Sequence, residues 1–261
     1  MSYDFKFAGR SLSDLYGVTT KRPDIEVARY DGQRYTIPGK NGDEFRDNKR
    51  YQNVAMKRSI GFAQRPAGYI PDLVDQLINW LAYAHGYQEF EDTDHPGLIT
   101  YAVLENFDSV RIQLRRYHFA TLQFSRVPFW FKKTSVSESH YTKAEAASGV
   151  TLNNPYPLFS QPLIRIELDV FPTTSSPIIA VSLDSALLFY YEYSRAANDQ
   201  SSFIIDTESL QAYIKKNTGE IQYVDADVSE KLIFKSGSTT LKLQNTANVY
   251  KLHVTPRWRC L

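Results

Sequence analysis

The chain has 261 residues, with 30 Lys and Arg against 29 Asp and Glu and a formal net charge of +1. That length exceeds the usual domain of about 100–200 residues, so two domains are expected, each able to bury a core. The balanced charge excludes the global positive field behind non-specific nucleic-acid binding, and 18 Tyr, 15 Phe and 3 Trp favour strands over helices.

Charge is nevertheless unevenly placed. Residues 1–70 carry 13 Lys/Arg against 8 Asp/Glu, residues 71–100 carry 0 against 6, and residues 101–135 carry 6 against 2. Alternating blocks of this kind suit head-to-tail contact between copies, and they suit solvated faces equally well. The opening MSYDFKFAGRSL lacks the apolar core of a secretory signal, and no run approaches the roughly 18 apolar residues of a membrane span, so neither Sec export nor membrane insertion is expected. The lone Cys260 excludes an intramolecular disulfide and a Cys-rich zinc site, which fits folding in a reducing cytoplasm.

Residues 22–37 read as one or two strands, with Ile25, Val27, Tyr35 and Ile37 at period-two positions. The stretch YTIPGKNGDEFRDNKR, residues 35–50, sets a turn before a basic, strongly polar segment. Ile37 precedes Pro38 and is biased toward extended geometry, while Gly39 and the Asn41-Gly42 pair supply the positive φ that a tight reversal needs. This is a surface loop. It is no phosphate cradle, because Gly39 to Asp43 lacks the spacing of a nucleotide-binding loop and opens no helix.

After a breaker cluster at 63–71 comes the one strong helix of the sequence. Pro71 and Asp72 favour a start, Leu73, Val74, Leu77, Ile78 and Leu81 recur at three- and four-residue spacing, and His85-Gly86 marks the stop. Residues 98–105 and 109–117 read as strands joined by a hairpin turn at 106–108, and 118–131 as a third strand. The polar, small-residue segment 132–149 reads as a linker, which divides the chain into domains 1–136 and 137–261. Beyond it the signals are all strand: 164–170, 178–183, 186–193, 203–205, a hairpin from 210–215 and 221–224 around Asn217-Thr218-Gly219, then 231–234, 240–243 and 250–254. Short strands at roughly ten-residue spacing argue for a β-sandwich or jelly roll. The fold class is therefore mainly β, a β-rich α+β chain: an N-terminal β-domain with one α-helix and a β-hairpin, then a C-terminal sandwich.

Candidate chemistry is sparse. Glu89, Glu91, Asp92, Asp94 and His95 could offer oxygen ligands to Ca²⁺ but lack the spacing of a calcium loop, so no metal and no cofactor are expected. No G-x-S-x-G elbow occurs, His118 and His253 fall on strand runs where a structural role is expected, and Cys260 with His253 would be a poorly oriented pair at a chain end, so no catalytic residue is assigned. The run Leu188, Phe189, Tyr190, Tyr191, Tyr193 could stack on sugars, although alternation gives half of it to the core.

Taken in order, these pieces resemble the distal tail proteins (Dit) of siphophages. YTIPGKNGDEF resembles that family's I-P-G-x-x-G segment, PDLVDQLINWLAY its single N-terminal helix, EDTDHPGLITYAVLEN the stretch that follows, and RIQLRRYHFATLQFSRVPFWF the strand closing the first domain. GVTLNNPYPLFSQPLIRIEL, FIIDTESLQAYI and HVTPRWRCL resemble segments of the second domain. The resemblance covers nearly the whole chain and rests on order, each motif being short. It implies a non-enzymatic virion protein at the tip of a long non-contractile tail, made in the host bacterial cytoplasm. Its N-terminal domains would form a homo-hexameric ring around a channel through which DNA passes, and its C-terminal domains would be galectin-like sandwiches. The implied partners are the tail tube protein, the tail-associated lysin or hub protein, and a receptor-binding protein. In that setting Ile37, Pro38, Gly39, Lys40 and Gly42 become a candidate assembly contact. A glycan-binding adhesion module of the tail tip is the alternative reading.

Overall fold

The computed structural model describes residues 3–24, 26–62, 70–170, 176–192 and 201–261. Ile25, the breaker cluster before Ile70 and Tyr193 lie outside them. The chain divides into two compact units, residues 1–130 with residue 261, and residues 131–260.

Unit 1 is built on a sheet ordered β2-β1-β7-β8-β9-β6-β3, from β1 (Phe5–Phe7), β2 (Arg10–Ser11), β3 (Gly17–Thr19), β6 (Val54–Phe62), β7 (Gln88–Asp92), β8 (Leu98–Leu104) and β9 (Phe119–Arg126). Between β3 and β6, β4 (Tyr30–Tyr35) and β5 (Glu44–Tyr51) pair only with each other. Trp130–Lys132 forms β10. The strand alternation is explicit along β9, where Ala120, Leu122 and Phe124 are buried and Phe119 and Gln123 are exposed. Phe5, Phe7, Phe90 and Phe124 make the aromatic centre, Phe7 meeting Phe124 edge-on at 4.9 Å and Phe5 stacking on Phe90 at 5.4 Å. Helix α1 (Ile70–Tyr83) covers this core with the expected stripe, since Leu73, Val74, Leu77, Ile78 and Leu81 are all buried. Each such side chain contributes about 1.5–3 kcal/mol of burial. Trp80 joins them, and its indole N–H donates to the Phe7 carbonyl at 2.9 Å, tying helix to β1.

Three readings of this half need correction. Residues 109–117 are not a strand: Phe107–Tyr117 is helix α2, because Val110 and Leu114, four apart and fully buried, define a helical stripe, with Arg111, Arg115 and Arg116 in solvent. Asn106 holds its start against β9, donating to the Thr121 carbonyl and accepting from the Gln123 amide, both at 2.8 Å. His118 is the left-handed residue ending that helix (φ 59°), not a strand residue. Residues 22–24 and 26–29 are irregular, the regular strand beginning at Tyr30.

Unit 2 has one sheet ordered β11-β20-β13-β16-β17-β18, and a second ordered β12-β19-β14-β15. The first comprises β11 (Ser139–Thr142), β13 (Leu163–Leu168), β16 (Ser201–Asp206), β17 (Gln211–Lys216), β18 (Ile221–Tyr223) and β20 (Val249–Thr255). The second comprises β12 (Val150–Asn154), β14 (Ile178–Leu183), β15 (Ala186–Glu192) and β19 (Gly237–Leu243). Ile164, Ile166, Phe203, Ile205, Leu252 and Val254 from one and Val181, Phe189, Leu241 and Leu243 from the other enter a single apolar core, the sandwich arrangement read from the alternation.

Segment 132–149 is not a structureless linker. It carries β11 and helix α3 (Lys143–Ser148), which starts at a capping box: the Thr142 hydroxyl accepts from the Glu145 amide while the Glu145 carboxylate accepts from the Thr142 amide at 2.7 Å. The described residues thus hold three α-helices rather than one. Residues 231–234 form no strand, making only a bridge between Phe234 and Ser160.

Candidate functional site

The loop singled out in the sequence is the tip of the β4–β5 hairpin. Tyr35 pairs with Glu44, and residues 36–43 reverse the chain between them. Gly39 and Gly42 take φ of +84° and +83°, the left-handed geometry their placement after Pro38 and Asn41 requires. The Lys40 amide donates to the Ile37 carbonyl at 3.1 Å, and the Thr36 hydroxyl donates to Asp43 at 3.0 Å, closing the loop at its base. Ile37, Pro38, Gly39, Lys40 and Gly42 are all exposed.

The segment after the turn is a strand that sequence reading missed. β5, EFRDNKRY, has no apolar alternation because neither face meets a core, and its residues are exposed or half-buried throughout. The hairpin is fastened at its root and bare beyond it. Asp31, the one buried residue of the hairpin, accepts from Arg50 Nε at 2.6 Å and Gln52 Nε2 at 3.0 Å. Hydrogen bonding to Arg50 first, then to Gln52, holds the Asp31 carboxyl below the ordinary carboxylate range. Tyr30 meets Tyr51 edge-on at 4.9 Å, and Tyr51 in turn meets Phe129 at 5.6 Å. Past that root Tyr35, Ile37 and Phe45 expose apolar surface, and the Arg46 guanidinium lies over the Tyr35 ring at 5.1 Å. A two-stranded hairpin without a covered face is marginal in water, so an arm of this composition suits a partner surface.

Glu91, Asp92 and Asp94 after α1 are each paired, while Glu89 is an exposed residue of β7. The Asp92 side chain is buried, accepting from Tyr3 at 3.1 Å and standing 3.6 Å from Arg58. Arg58, itself buried, also binds Glu26 at 2.8 Å and the Tyr3 oxygen at 2.7 Å. Burial, chiefly, raises the Tyr3 phenol far above its ordinary value, so it remains a hydroxyl donor. Asp94 pairs with Arg22 at 3.3 Å, Glu91 with Lys6 at 3.7 Å, and His95 stacks on Trp130 at 4.2 Å. Glu91, Asp92 and Asp94 thus each face a cation.

In unit 2 the aromatic run divides as alternation requires. Phe189 is buried, Leu188 and Tyr191 pack on the core, and Leu187 and Tyr190 are exposed. The concave surface lies elsewhere, on the six-stranded sheet, as a groove of about 810 Å³ lined by Arg165, Glu167, Tyr213, Lys215, Ile221 and Tyr250 among others. Among the described residues, one group places metal-type ligands together: Glu138, His140 and His253, with ligand atoms within 4.8 Å of one another. His253 is engaged with that group. No helix among the described residues is long and apolar enough to cross a membrane.

No protein-family model and no curated sequence matches the chain. Solved structures do, and one of them shows the class of fold. The Dit (gp 19.1) protein of phage SPP1, described as a paradigm of the hub adsorption apparatus in phages infecting Gram-positive bacteria, aligns over 100% of both chains at 15% identity with a TM-score of 0.59. The chain therefore has the fold of that protein, as the ordered landmarks of its sequence suggested. Chains of the phage p2 baseplate in its activated conformation, with Sr and with Ca, align over 97% of each chain at 7% identity and a TM-score of 0.46, a likeness too distant to carry an argument.

Proposed function

We propose that this chain is a structural protein of the tip of a long non-contractile phage tail, with no enzymatic role. Its copies close a homo-hexameric ring through residues 1–136, and the ring joins the tail tube to the tail-associated lysin or hub protein while leaving a channel for DNA. Residues 137–261 form a galectin-like sandwich available to further tail proteins, including a receptor-binding protein. The observation that carries this reading is the β4–β5 arm, a hairpin paired with no other strand of its unit and exposing Tyr35, Ile37 and Phe45. Ile37, Pro38, Gly39, Lys40 and Gly42 at its tip are its contact with a neighbouring subunit or the tube. The shared fold with SPP1 Dit supports the setting. Light scattering with negative-stain imaging of the purified chain tests it: six-copy rings with a central channel are expected, and a monomer at every concentration sampled contradicts it.

A second reading is favoured by the groove on the six-stranded sheet of unit 2. Tyr213 and Tyr250 with Arg165, Glu167 and Lys215 offer stacking surface beside polar groups, the composition of a glycan site. Binding of host wall polysaccharide on an array, lost in Tyr213→Ala with Tyr250→Ala, would establish it. It is compatible with the ring.

A further inference from the structure

Strand register in unit 2 lines up three side chains across neighbouring strands. His140 on β11 stands directly opposite His253 on β20, and His253 stands directly opposite Arg165 on β13. Glu138 and Glu167 lie two residues from His140 and Arg165, so the period of two turns both carboxylates to the same face. The Nδ1 atoms of His140 and His253 are 2.6 Å apart, and Glu138 Oε2 is 3.4 Å from the second and 4.0 Å from the first.

His253 is the anchored member. Its side chain is 5% exposed, and its Nε2 stands 3.0 Å from Glu167 Oε2. Donation from Nε2 to that carboxylate leaves the lone pair on Nδ1, aimed at His140 and Glu138. A carboxylate behind the far nitrogen is the usual way a metal-ligating imidazole is oriented and made more basic. Without a cation, the single Nδ1 lone pair faces two donors at once, Arg165 Nη2 at 3.0 Å and the His140 ring at 2.6 Å. A cation among the three ligands resolves that surplus. It takes both Nδ1 lone pairs and Glu138 Oε2, displacing Arg165 Nη2, which donates to that oxygen at 2.6 Å, while Arg165 Nε keeps Glu138 Oε1 at 2.8 Å. The small outward rotation that His140 needs is open to it, because its side chain is 62% exposed.

We propose that Glu138, His140 and His253 form a binding site for a divalent transition-metal cation, with Zn²⁺ the best match and Glu167 as the residue that positions His253. Two imidazoles with one carboxylate suit Zn²⁺, whereas Ca²⁺ and Mg²⁺ take oxygen ligands. Three protein ligands leave a fourth tetrahedral position for water or a group from another molecule. The bound ion clamps β11, the edge strand of its sheet, to β20, and stabilises the unit by mass action.

The test uses the full chain after chelator treatment, titrated with ZnCl₂ by calorimetry and with Co²⁺ as a spectroscopic probe. One Zn²⁺ per chain, a raised melting temperature and the visible absorption of tetrahedral Co²⁺ are expected. His140→Ala, at an exposed position, leaves the metal-free melting temperature unchanged and abolishes the Co²⁺ band. Glu167→Gln weakens Zn²⁺ by about 10–100-fold. Glu138→Gln serves as a second ligand variant and also loses the band. A wild-type chain without the Co²⁺ band, or a His140→Ala chain that binds Zn²⁺ as tightly as wild type, overturns the proposal.

Discussion

Phe45 lies so close over Gly32 that a Cβ on Gly32 would stand 2.2 Å from the ring Cζ and 2.9 Å from the Arg46 carbonyl oxygen. The two residues sit on facing strands of the arm, Arg34 pairing with Phe45 and Gly32 with Asp47. The ring could swing aside for a methyl group, but the carbonyl belongs to the strand itself. Gly32→Ala therefore forces the strands apart, at about 1–3 kcal/mol for an overpacked site. Because the arm pairs with no other strand of its unit, the melting temperature should hardly move while ring yield in light scattering falls. A variant with wild-type ring yield would show that the arm's geometry does not matter for assembly.

At the tip the strain is of another kind. Gly39 and Gly42 have nothing within 4 Å of an added Cβ, so Val at both positions meets no clash and pays only for its left-handed backbone, about 1–3 kcal/mol per residue. Gly39→Val with Gly42→Val should reshape the loop and impair assembly more than monomer solubility, read by sedimentation and by soluble yield. Equal loss of both would make the loop a folding element instead.

Acid should loosen the arm before the sheet. The folded-state carboxyl of Asp31 lies below its ordinary value of 3.8, held there by Arg50 and then Gln52. Its stabilising effect is complete above that ordinary value and is lost as pH falls through the lower folded value. Amide protection in β4 and β5, followed by hydrogen exchange, should drop below about pH 4 and stay constant from there to neutrality. In Asp31→Asn that step should vanish; its persistence would assign it to another carboxylate.

Arg58 makes a prediction about unit 1 as a whole. Removing it takes the buried cation from between Glu26 and Asp92, leaving the Lys57 amide on Glu26 and Tyr3 with the His95 amide on Asp92, and breaking a buried pair in this way costs about 3–5 kcal/mol. Arg58→Met should lower the stability read from the urea midpoint accordingly, and Tyr3→Phe, which removes two hydrogen bonds, by about 1–3 kcal/mol. An unchanged midpoint for Arg58→Met would mean that water reaches the cluster.

These residues also show where sequence reading succeeds and where it runs out. Helix α1 was legible because five apolar residues recur at helical spacing with Pro71 at the start and Gly86 (φ +68°) at the end. The turn at Gly39 and Gly42 was legible from local backbone chemistry alone. Helix α2 was misread because its stripe is only Val110 and Leu114, and Ser109 to Tyr117 alternates as well as it spirals. β5 has no pattern to read, since a strand that faces solvent on both sides needs none. The cap of α3 was visible as Thr142 and Glu145, three apart, inside a segment whose composition suggested a linker. The histidine cluster was out of reach: His140 and His253 stand 113 residues apart, and only the register of β11 on β20 brings them together.

Whether the arm is the contact between copies is decided by one comparison of masses. The full chain and a variant in which residues 36–43 are replaced by a two-residue turn should be weighed side by side by mass photometry. Six-copy particles are expected for the full chain, and monomers of unchanged circular dichroism for the shortened one. Monomers in both, or rings in both, would contradict the arm as that contact.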